Sequence, residues 1–121
     1  MRCLIVDDNQ TFLAAARVLL ERQGLTVAGV ATTSAEALRQ VETLRPDAVL
    51  VDISLGTESG LDLARRLVES DLCAAAAVVL ISTHAEADFA DLIAESPAAG
   101  FLPKSELSAN GIRQIVEAHS R

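Results

Sequence analysis

Five short apolar runs, separated by longer segments with helical periodicity, constrain the fold of this chain more than any other feature. The runs have the length of buried strands and cover residues 3–6, 26–30, 48–51, 78–81 and 99–102. Parallel neighbouring strands need long crossover connections, and helices of this length supply them. The alternation therefore predicts an α/β fold in which a five-stranded parallel sheet carries helices on both faces.

The segments between and after the runs predict five amphipathic helices. The first ends near Gly24, and its apolar stripe consists of Phe12, Leu13, Ala16, Leu19 and Leu20. The second covers about residues 33–44, with its capping residue among Thr32, Thr33 and Ser34. The third covers about residues 59–70, and its inward side consists of Leu61, Leu63, Ala64, Leu67 and Val68. The fourth, about residues 85–95, has only a thin apolar face, and the fifth runs from about 105–108 to His119.

Length, charge and cysteine usage limit the function classes open to the chain. The 121 residues suffice for one domain, so we predict a single domain over residues 1–121. The net charge of -7 argues against direct contact with nucleic acid, and no apolar run approaches the roughly 18 residues of a membrane span. Cys3 and Cys73 lie in apolar runs without metal-ligand spacing, which favours core thiols in a reducing cytoplasm.

Acidic, hydroxyl and basic side chains follow the predicted strands at the point where each strand ends. Asp7 and Asp8 follow the first run, Asp52 the third, Ser82 the fourth and Lys104 the fifth. The carboxyl ends of parallel strands share one edge of the sheet, where ligands bind in such folds. Each residue alone has an ordinary structural explanation, such as a helix cap, a turn or a solvated lysine. Their combination at four separate strand ends predicts a functional site at this edge.

The chemistry of these residue types indicates phosphoryl transfer. Three carboxylates at one edge repel one another, and a hard divalent cation removes that repulsion by accepting oxygen ligands. Mg²⁺ suits the site because it needs only one or two direct carboxylates and leaves room for phosphoryl oxygens. An aspartate can attack phosphorus to give an acyl phosphate, while a hydroxyl and an ammonium bind the phosphoryl oxygens.

Four segments carry a resemblance to a known family. They are residues 4–9 (Leu-Ile-Val-Asp-Asp-Asn), residues 45–52 (Arg-Pro-Asp-Ala-Val-Leu-Val-Asp), Ser82, and residues 100–104 (Gly-Phe-Leu-Pro-Lys). In these segments, the chain resembles the receiver domains of bacterial two-component response regulators, and the resemblance covers essentially its whole length. It implies the flavodoxin-like, CheY-like (βα)5 fold with strand order 2-1-3-4-5.

The resemblance also implies roles for the acidic residues and the loop that follows the third strand. Asp52 would be the phosphoacceptor, which takes its phosphoryl group from a sensor histidine kinase. Asp8 and Asp52 would bind Mg²⁺ directly together with the backbone carbonyl of Ser54, while Asp7 would act largely through a bound water. Many receivers have a proline four residues after the phosphoacceptor, and Gly56 in that place predicts a looser loop.

Three further residues receive roles from the same resemblance. Ser82 would be the hydroxyl switch residue, with Thr83 beside it as an alternative, and Phe101 the aromatic whose rotamer follows the switch. Lys104 would bind the phosphoryl oxygens. Ser105 follows it where receivers commonly have proline, so we expect a trans peptide there. The face made by helix four, strand five and helix five would change its affinity for partners, a second copy of the chain among them.

The ending at residues 102–107 (Leu-Pro-Lys-Ser-Glu-Leu) resembles receivers that precede a LuxR-type helix-turn-helix output domain. It implies control of transcription through an attached DNA-binding domain that is absent from this chain. The chain would then not be a conventional enzyme, although it would promote its own phosphorylation and dephosphorylation. A stand-alone receiver, or a degenerate one that acts only by protein contact, is the alternative.

Two unrelated functions have less support from the sequence. Haloacid-dehalogenase-type phosphatases place a second acid two residues after the nucleophile, where this chain has Ser54. A nucleotide-binding module lacks support because the chain has neither a GxxxxGK[ST] nor a GxGxxG motif. Of the two histidines, His84 is expected to be a loop residue or to tune phosphoryl hydrolysis, and His119 a solvated residue.

Overall fold

The fold comes from a computed structural model that describes residues 1–70, 76–83 and 90–119. Five strands form the main sheet: β1 (Arg2–Val6), β2 (Thr26–Ala31), β3 (Ala48–Asp52), β6 (Ala77–Ser82) and β7 (Gly100–Pro103). Two short strands, β4 (Ser54–Leu55) and β5 (Glu58–Ser59), form a separate hairpin after β3. The helices are α1 (Gln10–Arg22), α2 (Ser34–Leu44), α3 (Gly60–Glu69), α4 (Ala90–Glu95) and α5 (Ala109–His119).

The main sheet is parallel throughout, with the strand order β2-β1-β3-β6-β7. Counted among the main-sheet strands alone, this is the order 2-1-3-4-5, so the predicted fold is confirmed. The order reverses at β1, which pairs with β2 on one side and β3 on the other. The carboxyl ends of these strands form one edge, here called the carboxyl edge, where folds of this type bind their ligands.

Two hydrophobic clusters hold helices against the two faces of the sheet. One cluster joins alternate residues of β1, β3 and β6 to α2 and α3, and the other joins the remaining strand residues to α1 and α5. Strands covered on both faces have no polar side, which explains why their sequences read as continuous apolar runs. The three central strands are therefore rigid supports for the residues at their carboxyl ends.

The helix predictions hold in outline and fail at particular residues. Leu19 and Val68 were expected to face the core but are 39% and 41% exposed. Each lies next to a fully buried leucine, and neighbouring helix residues are about 100° apart around the axis. Helix α5 begins later than predicted because residues Lys104–Glu106 form a 3-10 turn first.

Some predicted features fall outside the described residues, namely Cys73, His84 and the first part of helix four, residues 85–89. The described part of that helix, Ala90–Glu95, has no buried residue, as its thin apolar face predicted. The exposed His119 ends α5. Within the described ranges, none of the helices has both the length and the apolar character needed to cross a bilayer.

Gly60 lies at the point where α3 begins against the backbone of β3. A Cβ atom at this position would overlap the backbone carbonyl oxygen of Asp52. The Gly60 amide also donates a hydrogen bond of 2.9 Å to the carbonyl of Ile53. Only a residue without a side chain allows α3 to begin this close to the end of β3, so Gly60 helps to fix the backbone that carries Asp52.

We expect the substitution Gly60→Ala to lower the free energy of unfolding by about 1–3 kcal/mol or more, because the new methyl group meets backbone rather than a movable side chain. Urea denaturation measures this change.

Gly111→Ala in α5 is the matched control. There the three atoms nearest the added Cβ belong to the side chains of Ser108 and Leu102 and lie at 3.1 Å or more. Alanine also favours a helix by about 1 kcal/mol over glycine, so this variant should keep or gain stability. Equal losses in the two variants would contradict the role assigned to Gly60.

Candidate functional site

Lys104, the only lysine of the chain, lies between two carboxylates at the carboxyl edge. Its Nζ is 2.6 Å from Oδ2 of Asp7 and 3.2 Å from Oδ2 of Asp52. The side chain of Lys104 is 11% exposed, and those of Asp7 and Asp52 are 0% and 10% exposed. Charges buried to this degree need partners of opposite sign. The three side chains therefore form one electrostatic unit.

Strand register brings these residues together from distant parts of the sequence. Asp7 directly follows β1, and Asp52 is the last residue of β3. Asp52 of β3 aligns with Ile81 of β6. Ser82, which follows Ile81, aligns with Pro103 of β7, and Pro103 directly precedes Lys104. The sequence-based expectation that the carboxyl ends of four strands meet at one edge is thus met by the backbone pairing.

The two buried carboxylates are oriented in the same way. Oδ1 of Asp7 accepts a hydrogen bond of 2.9 Å from the amide of Asn9, and Oδ1 of Asp52 accepts one of 3.0 Å from the amide of Ser54. Each aspartate thereby closes a turn two residues ahead with one oxygen. The other oxygen of each faces Lys104.

Asp8 completes an acidic group with Asp7 and Asp52. One carboxylate oxygen of each residue lies within 4.8 Å of the others. Oδ2 of Asp7 is fully buried, and among the described residues it has the ionic contact with Lys104 but no hydrogen bond of suitable angle. When ionised, three carboxylates face one ammonium, which leaves two negative charges in excess. This set of hard oxygen donors fits a divalent cation in ligand type and in charge.

The environment shifts the pKa values of the two central groups. Burial raises the pKa of Asp52, and the nearby Asp7 carboxylate raises it further, against the opposing effects of the Ser54 amide and Lys104. Burial alone would lower the pKa of Lys104, but its contacts with Asp7 and Asp52 outweigh burial and raise it. Lys104 is therefore a firmly charged ammonium at neutral pH.

The loop after Asp52 folds back over the acidic group as the β4–β5 hairpin. Leu55 anchors it in the core at 1% exposure, and Gly56 occupies the turn with a φ of +60°, which favours glycine. A Cβ on Gly56 would lie 3.3 Å from Oδ2 of Asp8. Glu58 ties the hairpin to α2 because its Oε1 accepts a hydrogen bond of 3.0 Å from the amide of Ser34. These contacts connect the loop that contains Gly56 to the core and to α2.

The predicted switch residues occupy neighbouring strands. Ser82 ends β6 and is buried at 2% exposure, whereas Thr83 is exposed. Phe101 lies in β7, is half-buried, and packs against the cluster that contains α2 and α3. The peptide between Lys104 and Ser105 is trans, as expected.

Sequence reasoning missed the contact between Phe12 and Lys104. The Nζ of Lys104 lies 4.2 Å from the centroid of the Phe12 ring, although Phe12 was assigned only to the core stripe of the first helix. An aromatic residue soon after the acidic pair is the only signal in the sequence, and it does not indicate which residue the ring would meet.

Cys3 lies in the core, as predicted, and burial raises the pKa of its thiol to about 12.

Comparison with known proteins agrees with this geometry. The family model described as response regulator receiver domain matches residues 3–117. Response regulator GacA of Pseudomonas viridiflava is 31% identical over 121 residues, which cover 98% of this chain and 53% of that protein. The DNA-binding transcriptional activator EvgA of Escherichia coli K12 is 27% identical over 118 residues, which cover 98% of this chain and 56% of that protein.

A solved structure shares the fold. It is a response regulator protein from Burkholderia pseudomallei, 27% identical, with a TM-score of 0.77 and coverage of 98% of this chain and 71% of that one. The chain spans about half the length of GacA and EvgA. From the family match, the sheet order and the relatives together, we conclude that this chain belongs to the response regulator receiver domain family.

Proposed function

We propose that the chain is the phosphoacceptor receiver domain of a two-component response regulator, and that Asp52 takes a phosphoryl group from a sensor histidine kinase in the cytoplasm. The observation that carries this proposal is the position of Lys104 Nζ, within 3.2 Å of carboxylate oxygens of both Asp7 and Asp52, beside an acidic group that Asp8 completes. The related Burkholderia pseudomallei structure contains a phosphorylated aspartic acid and a calcium ion, which supports the proposal.

In the proposed reaction, a carboxylate oxygen of Asp52 attacks the phosphorus atom of a phosphohistidine. An O–P bond forms while the P–N bond breaks, and the leaving imidazole takes up a proton from water. Lys104 turns from its carboxylate partners to the phosphoryl oxygens and keeps its positive charge throughout. Ser82, a buried hydroxyl at the end of the neighbouring strand, binds another phosphoryl oxygen.

The acidic group is proposed to hold Mg²⁺. Asp8 and Asp52 would bind it directly together with the backbone carbonyl of Ser54, and Asp7 would contribute through a water. When bound, Mg²⁺ offsets negative charge on the phosphoryl oxygens. The support from the chain itself is the excess of two negative charges, which a divalent cation balances.

Phosphorylation is proposed to act on the face formed by α4, β7 and α5. Ser82 moves toward the phosphoryl group and Phe101 follows, which changes the shape of this face. Leu92 on α4 is 49% exposed, and Ile93 reaches the core only in part, so the described part of α4 offers an exposed apolar surface to a partner. A second copy of the chain is one partner that this face would bind.

We further propose that the receiver belongs to a transcription regulator. EvgA is described as a DNA-binding transcriptional activator, and this chain covers only 56% of its length. With a net charge of -7, the receiver leaves DNA contact to an attached domain. The receiver itself promotes its own phosphorylation and dephosphorylation without acting as a conventional enzyme on other substrates.

Replacing Asp52 by Asn should abolish phosphoryl uptake, since the amide cannot serve as the attacking group. Intact-mass spectrometry after treatment with acetyl phosphate, with and without Mg²⁺, measures the uptake. The wild type should gain one phosphoryl group, and the gain should depend on Mg²⁺.

Asp47→Asn is the control, because Asp47 directly precedes β3 at the opposite end of the strand from Asp52. Its carboxylate accepts a hydrogen bond from the Arg2 amide, and asparagine can still accept that bond. This variant should be labelled like the wild type. Labelling of Asp52→Asn at the wild-type rate would refute the assignment, and an unlabelled wild type would favour a receiver that acts by protein contact alone.

Mg²⁺ should stabilise the folded protein, and Asp8→Asn should remove most of that effect. A ligand at ten times its Kd adds about 1.4 kcal/mol to the free energy of unfolding, which a thermal melt detects. Asp47→Asn should keep the full gain. The metal assignment fails if Asp8→Asn gains as much as the wild type, or if NaCl of equal ionic strength stabilises the wild type equally.

A further inference from the structure

We infer that Phe12 positions Lys104 for phosphoryl transfer by holding its ammonium against the aromatic ring. The inference rests on the proposed function, since it concerns the residue that would bind the phosphoryl oxygens. Its basis is the distance of 4.2 Å between the Lys104 Nζ and the centroid of the Phe12 ring. A cation at this distance from a ring face is attracted by the negative charge of that face.

Phe12 is itself fixed by the residues of the acidic turn. Its backbone amide donates a hydrogen bond of 3.1 Å to Oδ1 of Asn9, the residue that caps α1. The amide of Asn9 donates to Oδ1 of Asp7, and Oδ2 of Asp7 contacts Lys104 at 2.6 Å. The four residues thus form a closed circuit of contacts, in which the Lys104 ammonium meets both the Phe12 ring and the Asp7 carboxylate.

During the proposed reaction, the ring can stay in contact with the ammonium while the ammonium leaves a carboxylate. To reach the phosphoryl oxygens, the ammonium must give up contact with Asp7 or Asp52, and a long lysine side chain then regains its rotamer freedom. An uncharged ring face attracts the cation without a counter-charge that would have to be displaced. Phe12 therefore limits the positions open to Lys104 both before and after that movement.

Composition makes a chance contact a poor explanation. The chain has only three phenylalanines, no tyrosine, no tryptophan and a single lysine. Phe12 also packs against the cluster of α1 and α5, a role that an aliphatic side chain such as leucine can also fill. The feature that leucine lacks is the ring face.

The contact itself is tested by NMR without phosphorylation. Because Lys104 is the only lysine, protein labelled with ¹³C-lysine gives a single set of side-chain signals. Ring currents from Phe12 should shift the Lys104 ε-methylene protons upfield. Phe12→Leu should abolish the shift and Phe12→Tyr should retain it. Wild-type ε-methylene signals at the position found in Phe12→Leu would overturn the inference.

The positioning role is tested by the rate of labelling with acetyl phosphate and Mg²⁺, on variants that urea denaturation shows to be folded. Phe12→Leu should label roughly two- to thirtyfold more slowly than the wild type, the range expected for loss of a cation–π contact of about 0.5 to 2 kcal/mol. Phe12→Tyr should label at close to the wild-type rate. In a Lys104→Met background, Phe12→Leu should cause no further loss, because its effect passes through the ammonium.

The outcomes separate this inference from the proposed function. A wild type that takes no phosphoryl group overturns the proposed function, and the positioning role with it. If the wild type is labelled and Phe12→Leu is labelled equally fast, the positioning role alone is overturned. A loss that persists in the Lys104→Met background also overturns it, since such a loss would come from altered packing.

Discussion

The contacts of one lysine with two aspartates join the ends of three strands into a site. Lys104 follows β7, Asp52 ends β3, and Asp7 follows β1, and all three side chains are almost entirely withdrawn from water. Removing one partner of a buried ion pair costs about 3–5 kcal/mol, because the remaining charge is left uncompensated. The carboxyl ends of the three strands are therefore held together by these charges as well as by the pairing of the strands.

The site is not neutral, and this imbalance connects stability to function. Asp8 adds a third carboxylate to a group that contains one ammonium, and the raised pKa of Asp52 reflects burial together with repulsion from Asp7. A fold optimised for stability alone would not gather these charges. Such an arrangement can accept a divalent cation and an incoming phosphoryl group. Lys104 can bind either the carboxylates or the phosphoryl oxygens.

The sequence predicted the sheet and the edge that carries the site because both depend on simple rules. Apolar runs indicate strands buried on both faces, and parallel strands end at a common edge, so Asp7, Asp52 and Lys104 could be placed together. Periodicity was less reliable at the edges of a helix's apolar face, as the exposure of Leu19 beside the buried Leu20 shows. The contact of Phe12 with Lys104 could not be predicted, since it depends on how α1 lies relative to β7.

The pKa of Lys104 gives the most direct test of the central claim that buried carboxylates surround this ammonium. As the only lysine, it gives one signal in a pH titration followed by NMR in metal-free protein. The account predicts a pKa above 10.5, which falls in Asp7→Asn because burial then acts with less opposition. A pKa at or below 10.5 that Asp7→Asn leaves unchanged would contradict it.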